Sequence, residues 1–105
     1  MISDRELEEI LKKYDFKWIR SDGVFGFYPY ESHYYFCKIG SYTYDKIRVF
    51  NEIKIKHDRI VGCSDKSTIC ENIEMFEKSL QNISAQRKKL LVYFKIKNIN
   101  KDFKK

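Results

Sequence analysis

The apolar residues of this chain keep a helical period near each end and a period of two in between. Leu7, Ile10, Leu11 and Tyr14 follow i, i+3, i+4, i+7, which lines one helix face. Ser3 and Glu6 stand ahead of them at capping-box spacing. Ile69, Ile73, Phe76, Leu80 and Ile83 repeat a four–three step. That stripe predicts a second helix from about Lys66, with Thr68 and Glu71 as its capping box. Between the stripes, alternation puts successive side chains on opposite sheet faces. Helical stripes flanking strands must bury their apolar faces against the sheet, so the fold class is α+β.

The alternating part divides at its turn residues. A short aromatic strand over 16–20 meets the hairpin signal Asp22-Gly23. Val24–Tyr30 is the second strand, with Pro29 confined to its end or to a sheet edge. His33–Ile39 is the third, ended by Gly40-Ser41. Lys46–Lys56 is the fourth, and its alternation slips at Phe50-Asn51, as a bulge or as two shorter strands. Arg59–Gly62 adds a further short strand. Past Arg87 the helical stripe fails, and Leu90, Val92, Phe94 and Ile96 alternate with Leu91, Tyr93, Lys95 and Lys97. A helix there would be apolar all round, so a C-terminal strand over 90–97 is favoured over continuation of the helix. Residues 98–105 read as a loose basic tail. The expected architecture is one α+β domain over 1–105: an N-terminal helix, an antiparallel β-meander of three to five strands and a long second helix packed on the sheet. The C-terminal strand would complete it.

Charge and cysteine usage narrow the function classes. The chain has 21 basic against 15 acidic residues, a formal charge of +6. Lysine outnumbers arginine 16 to 5 and isoleucine occurs 13 times, a usage that AT-rich codons explain, so position matters more than lysine count. Residues 86–105 hold eight cations and one acid, a basic arm suited to phosphate or an acidic protein surface. Cys37, Cys63 and Cys70 are odd in number and irregularly spaced, which argues against a disulfide framework and for a reducing compartment. Met1–Glu6 is polar where a secretory signal needs a basic start and an apolar run, and no stretch approaches a membrane span. A cytoplasmic protein without membrane contact is expected.

Rings are the most unusual feature. Thirteen of the 17 aromatic residues lie between Tyr14 and Phe50. If one sheet face packs on the helices, the other keeps several rings exposed. Tyr28, Tyr30, Tyr34, Tyr35, Tyr42 and Tyr44 are the candidate anchors of a protein-binding surface, where Tyr and Arg are enriched. Beside Lys17, Arg20, Lys38, Lys46 and Arg48 the same rings would stack single-stranded bases. The ordinary alternative is β-propensity and cross-strand packing. Arg87, Lys88, Lys89, Lys95, Lys97 and Lys101 are the candidate phosphate contacts of a nucleic-acid reading.

Catalytic and metal constellations are weak. His33 and His57 are the histidines, and neither pairs with a cysteine at tight metal-ligand spacing. No phosphate-cradling glycine loop, nucleophile elbow or carboxylate pair occurs. A non-enzymatic protein without metal or cofactor is expected.

Two family likenesses attach to particular residues. The order helix, strands, helix is similar in outline to the double-stranded-RNA-binding domain, whose second helix starts with a lysine cluster; Ser64-Asp65-Lys66-Ser67-Thr68 offers one lysine there. Glu6–Arg20, with an amphipathic helix, Tyr14-Asp15-Phe16 and a strand ending in Ile19-Arg20, resembles the opening of HicA-type RNA-cleaving toxins. The family's catalytic histidine follows a glycine in the next strand. Here Gly23 is followed by Val24, Phe25 and Gly26, so the resemblance implies the fold without the catalysis.

Two functions are expected from this reading. Size, composition and lack of catalytic motifs are similar in type to the accessory proteins of phages and mobile elements, anti-CRISPR proteins among them. That likeness implies surface occlusion of a host defence protein or ribonucleoprotein complex. The alternative is a basic domain that binds RNA or single-stranded DNA. An unpaired strand edge near Tyr30 or after Ile96 also offers a route to a homodimer.

Overall fold

A computed structural model describes residues 2–29, 35–57 and 59–103, the last ten of them as backbone only. Tyr30–Tyr34, and with them most of the candidate strand start at His33, lie outside the described residues.

Helix α1 spans Asp4–Lys13. The Ser3 hydroxyl accepts from the Glu6 amide at 3.2 Å, and the Glu6 carboxylate accepts from the Ser3 amide at 3.4 Å, which closes the predicted capping box. Leu7, Ile10 and Leu11 are its buried face. The helix stops because Asp15 adopts φ +60°. The Asp15 amide then donates to the Lys12 carbonyl at 3.0 Å and the Phe16 amide to the Leu11 carbonyl at 2.8 Å, the Schellman pattern with Asp in place of the usual glycine.

Seven strands follow: β1 (Lys17–Ile19), β2 (Val24–Phe27), β3 (Cys37–Thr43), β4 (Lys46–Phe50), β5 (Ile53–Lys56), β6 (Arg59–Gly62) and β7 (Ser67–Cys70). Helix α2 closes the chain over Ile73–Phe103. Five strands form an antiparallel sheet in the order β1-β2-β3-β4-β7, and β5 pairs with β6 as a separate hairpin. Register assigns the faces. Trp18, Phe25, Gly40, Val49 and Thr68 align across the sheet, with Tyr42, Ile47 and Cys70 on the next rung. Helix α2 lays Phe76, Leu80 and Ile83, all fully buried, against this face, and Phe76 meets Phe25 edge-on at 5.8 Å.

The α+β architecture predicted from periodicity is the one observed. Several boundaries differ, each for a local reason. β3 runs through Gly40-Ser41 rather than ending there. The Phe25 ring lies over Gly40, where a side chain would collide with it, so this glycine serves close packing inside a strand. The slip at Phe50-Asn51 is a strand break that sends β4 and β5 into different sheets. Helix α2 satisfies the break: the Asn51 carbonyl accepts from Asn82 at 3.0 Å and Gln86 at 2.9 Å, and the Gln86 oxygen accepts from the Ile53 amide at 2.9 Å.

The second helix starts later than its stripe suggests. Residues 67–70 form the edge strand β7 on β4, and Ile69 sits half-exposed there. Thr68 and Glu71 therefore make no capping box. Asn72 is the cap, with its side-chain oxygen accepting the Met75 amide at 2.9 Å. This strand also departs from the double-stranded-RNA-binding outline, which has a helix at that point. At the other end, 90–97 is helix, not strand, and the backbone stays helical through the expected loose tail as far as Phe103. A helix satisfies its own backbone bonds, whereas a strand here would need a sheet edge beside it. No glycine or proline occurs after Gly62 to stop it. The 31 residues of α2 span about 46 Å at the helical rise per residue. With extents of 54 × 23 × 23 Å, the molecule accommodates that length only along its long axis, which sets the direction of α2. Leu91, Val92 and Tyr93 are exposed on it. Among the described residues no helix is long and apolar enough to cross a membrane.

Candidate functional site

Both helices cover one face of the sheet, so the opposite face is defined by the residues between the buried ones. Alternation around Ile39, Ile47 and Val49 turns Lys38, Lys46 and Arg48 outward, and all three are exposed. Arg48 shares its rung with Ser41 and Ile69. Lys38, Ser41, Lys46 and Arg48 line an open groove of about 580 Å³, together with the hydroxyls of Thr43 and Ser64. Its two rings are Phe50, buried in the floor, and Tyr44, exposed at the rim. Lys38 Nζ stands 5.8 Å from the Phe50 ring centre.

No carboxylate lines this groove among the described residues. The acids that pair with cations lie elsewhere. Glu8 holds Lys12 and Arg20, Glu9 holds Arg5, and Glu77 holds Lys13. Among the described residues Lys46 and Arg48 have no ion-pair partner. Three cations and several hydroxyls around one concavity are donors only or donor-capable, the chemistry that receives phosphate oxygens. Among the described residues no histidine or cysteine lines the groove. His57 lies in the β5–β6 turn, and His33 lies outside the described residues. Among the described residues no cluster of three metal-ligating side chains occurs.

The structure separates the predicted tyrosines. Tyr28 is half-buried and meets Phe36 edge-on at 5.0 Å. Tyr35 is half-buried, with the Arg59 guanidinium 5.4 Å from its ring centre. Tyr42 lies on the helix-covered face against Trp18 at 5.9 Å. Burial, then the Asp4 and Asp45 carboxylates, push its hydroxyl above the usual tyrosine range. Tyr30 and Tyr34 lie outside the described residues. Tyr44 is 96% exposed, so of the described candidate anchors it alone stands fully in solvent.

The predicted phosphate contacts also divide. Arg87 is turned inward: its guanidinium donates to the Tyr14 carbonyl at 2.7 Å and the Asp15 carbonyl at 3.0 Å, and stacks on Phe16 at 4.4 Å. Burial lowers its pKa while Asp15 opposes the shift. Lys88 and Lys89 are exposed on α2. Lys95, Lys97 and Lys101 belong to α2 by backbone, and their side chains lie outside the described residues. Arg20 is engaged by Glu8 at 2.9 Å and by the Trp18 ring at 4.5 Å. Sequence reasoning named Lys38, Lys46 and Arg48 but missed Ser41, Thr43 and Ser64, because hydroxyls in strands and turns carry no signal of their own.

Cys37, Cys63 and Cys70 are free and buried. Burial pushes the Cys37 thiol up to about 12. It raises Cys70 too, partly offset by a hydrogen bond with Ser79. At pH 8 iodoacetamide is expected to leave Cys37 unmodified in the native protein and to alkylate it after denaturation, as read by mass spectrometry. The linkage has one sign. The thiol stays neutral in the fold, so the stability it contributes is complete below the unfolded pKa near 9 and declines as pH rises from there toward 12.

Comparison with known protein families, with characterised proteins and with solved structures finds no match for this chain.

Proposed function

We propose that the protein is a non-enzymatic module that binds the phosphate backbone of nucleic acid across the open face of its sheet. The observation that carries this reading is the groove of Lys38, Lys46 and Arg48, lined by hydroxyls and by no carboxylate among the described residues. Phosphate neutralisation supplies most sequence-independent affinity, so three contacts predict binding with a log–log salt slope of about −2 to −3. The exposed Lys88 and Lys89 lie on α2, on the other side of the sheet, and add only to the long-range positive field.

A second reading, occlusion of a partner protein or ribonucleoprotein, draws on the exposed Leu91, Val92 and Tyr93 of α2. The likeness in type to anti-defence accessory proteins belongs to this second reading.

Fluorescence anisotropy with labelled oligonucleotides at low salt tests the first. Micromolar binding is expected, and Lys38→Glu with Arg48→Glu should weaken it at least ten-fold and flatten the salt slope. Lys88→Glu with Lys89→Glu should have the smaller effect. All four residues are exposed, so circular dichroism should be unchanged. Absence of binding by the wild-type protein at about 50 mM salt, where phosphate contacts are strong, would overturn the reading.

A further inference from the structure

The turn joining β3 to β4 has two central residues, Tyr44 at φ +52° and Asp45 at φ +60°. Positive φ at both positions is the type I′ geometry that matches strand twist, and Asn-Gly or Asp-Gly supply it with least strain. Tyrosine is a poor choice, because its Cβ is crowded in the left-handed region. Strain of this kind persists only where the surrounding structure over-determines it, as the β3–β4 hairpin does here, and it clusters at functional sites. Burial does not compensate it here, since Tyr44 is 96% exposed. The ring instead rims the groove that holds Lys38, Lys46 and Arg48.

We infer that Tyr44 is a base-stacking residue and that the ligand of the groove is therefore single-stranded nucleic acid rather than duplex. The inference rests on the proposed phosphate-binding reading and gives it a substrate class. The Asp45 carboxylate repels phosphate from the turn. A strand whose backbone follows Lys46, Arg48 and Lys38 thus presents a base, not a phosphate, to the hairpin tip. An aromatic face accepts any base by stacking, with little dependence on sequence. In a duplex the base faces are already stacked on one another, and a side chain at a hairpin tip has only phosphates and groove edges to meet.

The strain also separates binding from stability. Asn tolerates the left-handed region, so Tyr44→Asn should raise the melting temperature. The same change should weaken binding of a labelled oligo(dT) or oligo(rU) by roughly 5- to 150-fold, the range for loss of one stacked base. The salt slope should stay at its wild-type value, because no cation is removed. Tyr44→Trp should bind at least as tightly as wild type. Duplex of the same length should bind the wild-type protein more weakly than single strands do. Single-strand affinity unchanged in Tyr44→Asn, or duplex bound as tightly as single strands by the wild type, overturns this inference and leaves the phosphate reading standing. No binding of either form by the wild type overturns both.

Discussion

Replacing Phe76 by Ala is expected to lower the unfolding free energy by about 3–5 kcal/mol. Phe76 is fully buried where α2 crosses the sheet, with its ring edge-on to Phe25 at 5.8 Å. Leu80 and Ile83 extend the same contact along the helix, so the cavity would open at the first of three anchors. The surrounding rings and strands cannot collapse into it without moving the helix, so the cavity adds to the transfer loss. A domain of this size has a total stability of about 5–15 kcal/mol. The loss is therefore a large fraction, and urea denaturation should show a lower midpoint with an unchanged slope. Val92→Ala on the same helix is the control. Val92 is 58% exposed, and its truncation should cost less than about 0.5 kcal/mol. A cost below about 1 kcal/mol for Phe76→Ala would mean that α2 is not anchored on the sheet as described.

Arg87→Ala is expected to cost about 2–4 kcal/mol, through a different mechanism. The Arg87 guanidinium binds the two carbonyls that end α1, those of Tyr14 and Asp15, and places its positive charge at the negative end of that helix. It also lies over Phe16 at 4.4 Å and Phe27 at 5.3 Å. The residue is thus a clasp between the end of α1 and the middle of α2. Tyr14 reinforces the clasp, donating to Glu77 at 3.2 Å and accepting from Gln81 at 3.0 Å. Arg87→Lys should recover only part of the loss, since an ammonium keeps the charge but cannot span both carbonyls or stack as a plane. Thermal unfolding of the two variants measures this. Below its melting transition Arg87→Ala should bind oligonucleotides as the wild type does, because the guanidinium faces the fold. A large loss of affinity with unchanged stability would instead restore Arg87 to the phosphate contacts expected from the basic run 87–89.

Arg87 shows where a linear reading stops. In the sequence it heads a basic cluster, and nothing adjacent marks it as different from Lys88. Its partners, Tyr14 and Asp15, are more than seventy residues away. The same distance problem affects the tyrosines. Alternation implies that some rings of the aromatic segment face away from the helices. Instead Tyr42 faces them and packs on Trp18, because the bulge opposite Phe25 and Gly26 shifts the register of β3. A bulge inserts one residue and exchanges the faces of everything beyond it. Among the described residues the rings expected to form one outer patch are dispersed, and Lys38, Lys46 and Arg48 are exposed on the outer face.

Local signals held where the physics is local. The Ser3–Glu6 box, the α1 stripe and the Phe76–Leu80–Ile83 face lie within a few turns of helix, and the sequence alone determined them. So did the α+β class, since helical stripes around alternating strands have few ways to bury both. Tertiary structure decided the rest: Ser67–Cys70 became an edge strand because β4 was beside it, and 90–97 stayed helical with no strand to pair with. It also gathered Lys38, Lys46, Arg48 and Tyr44 into one groove. Pairing energy and like-signed clustering depend on which strands become neighbours, and that is a property of the folded chain, not of any window along it.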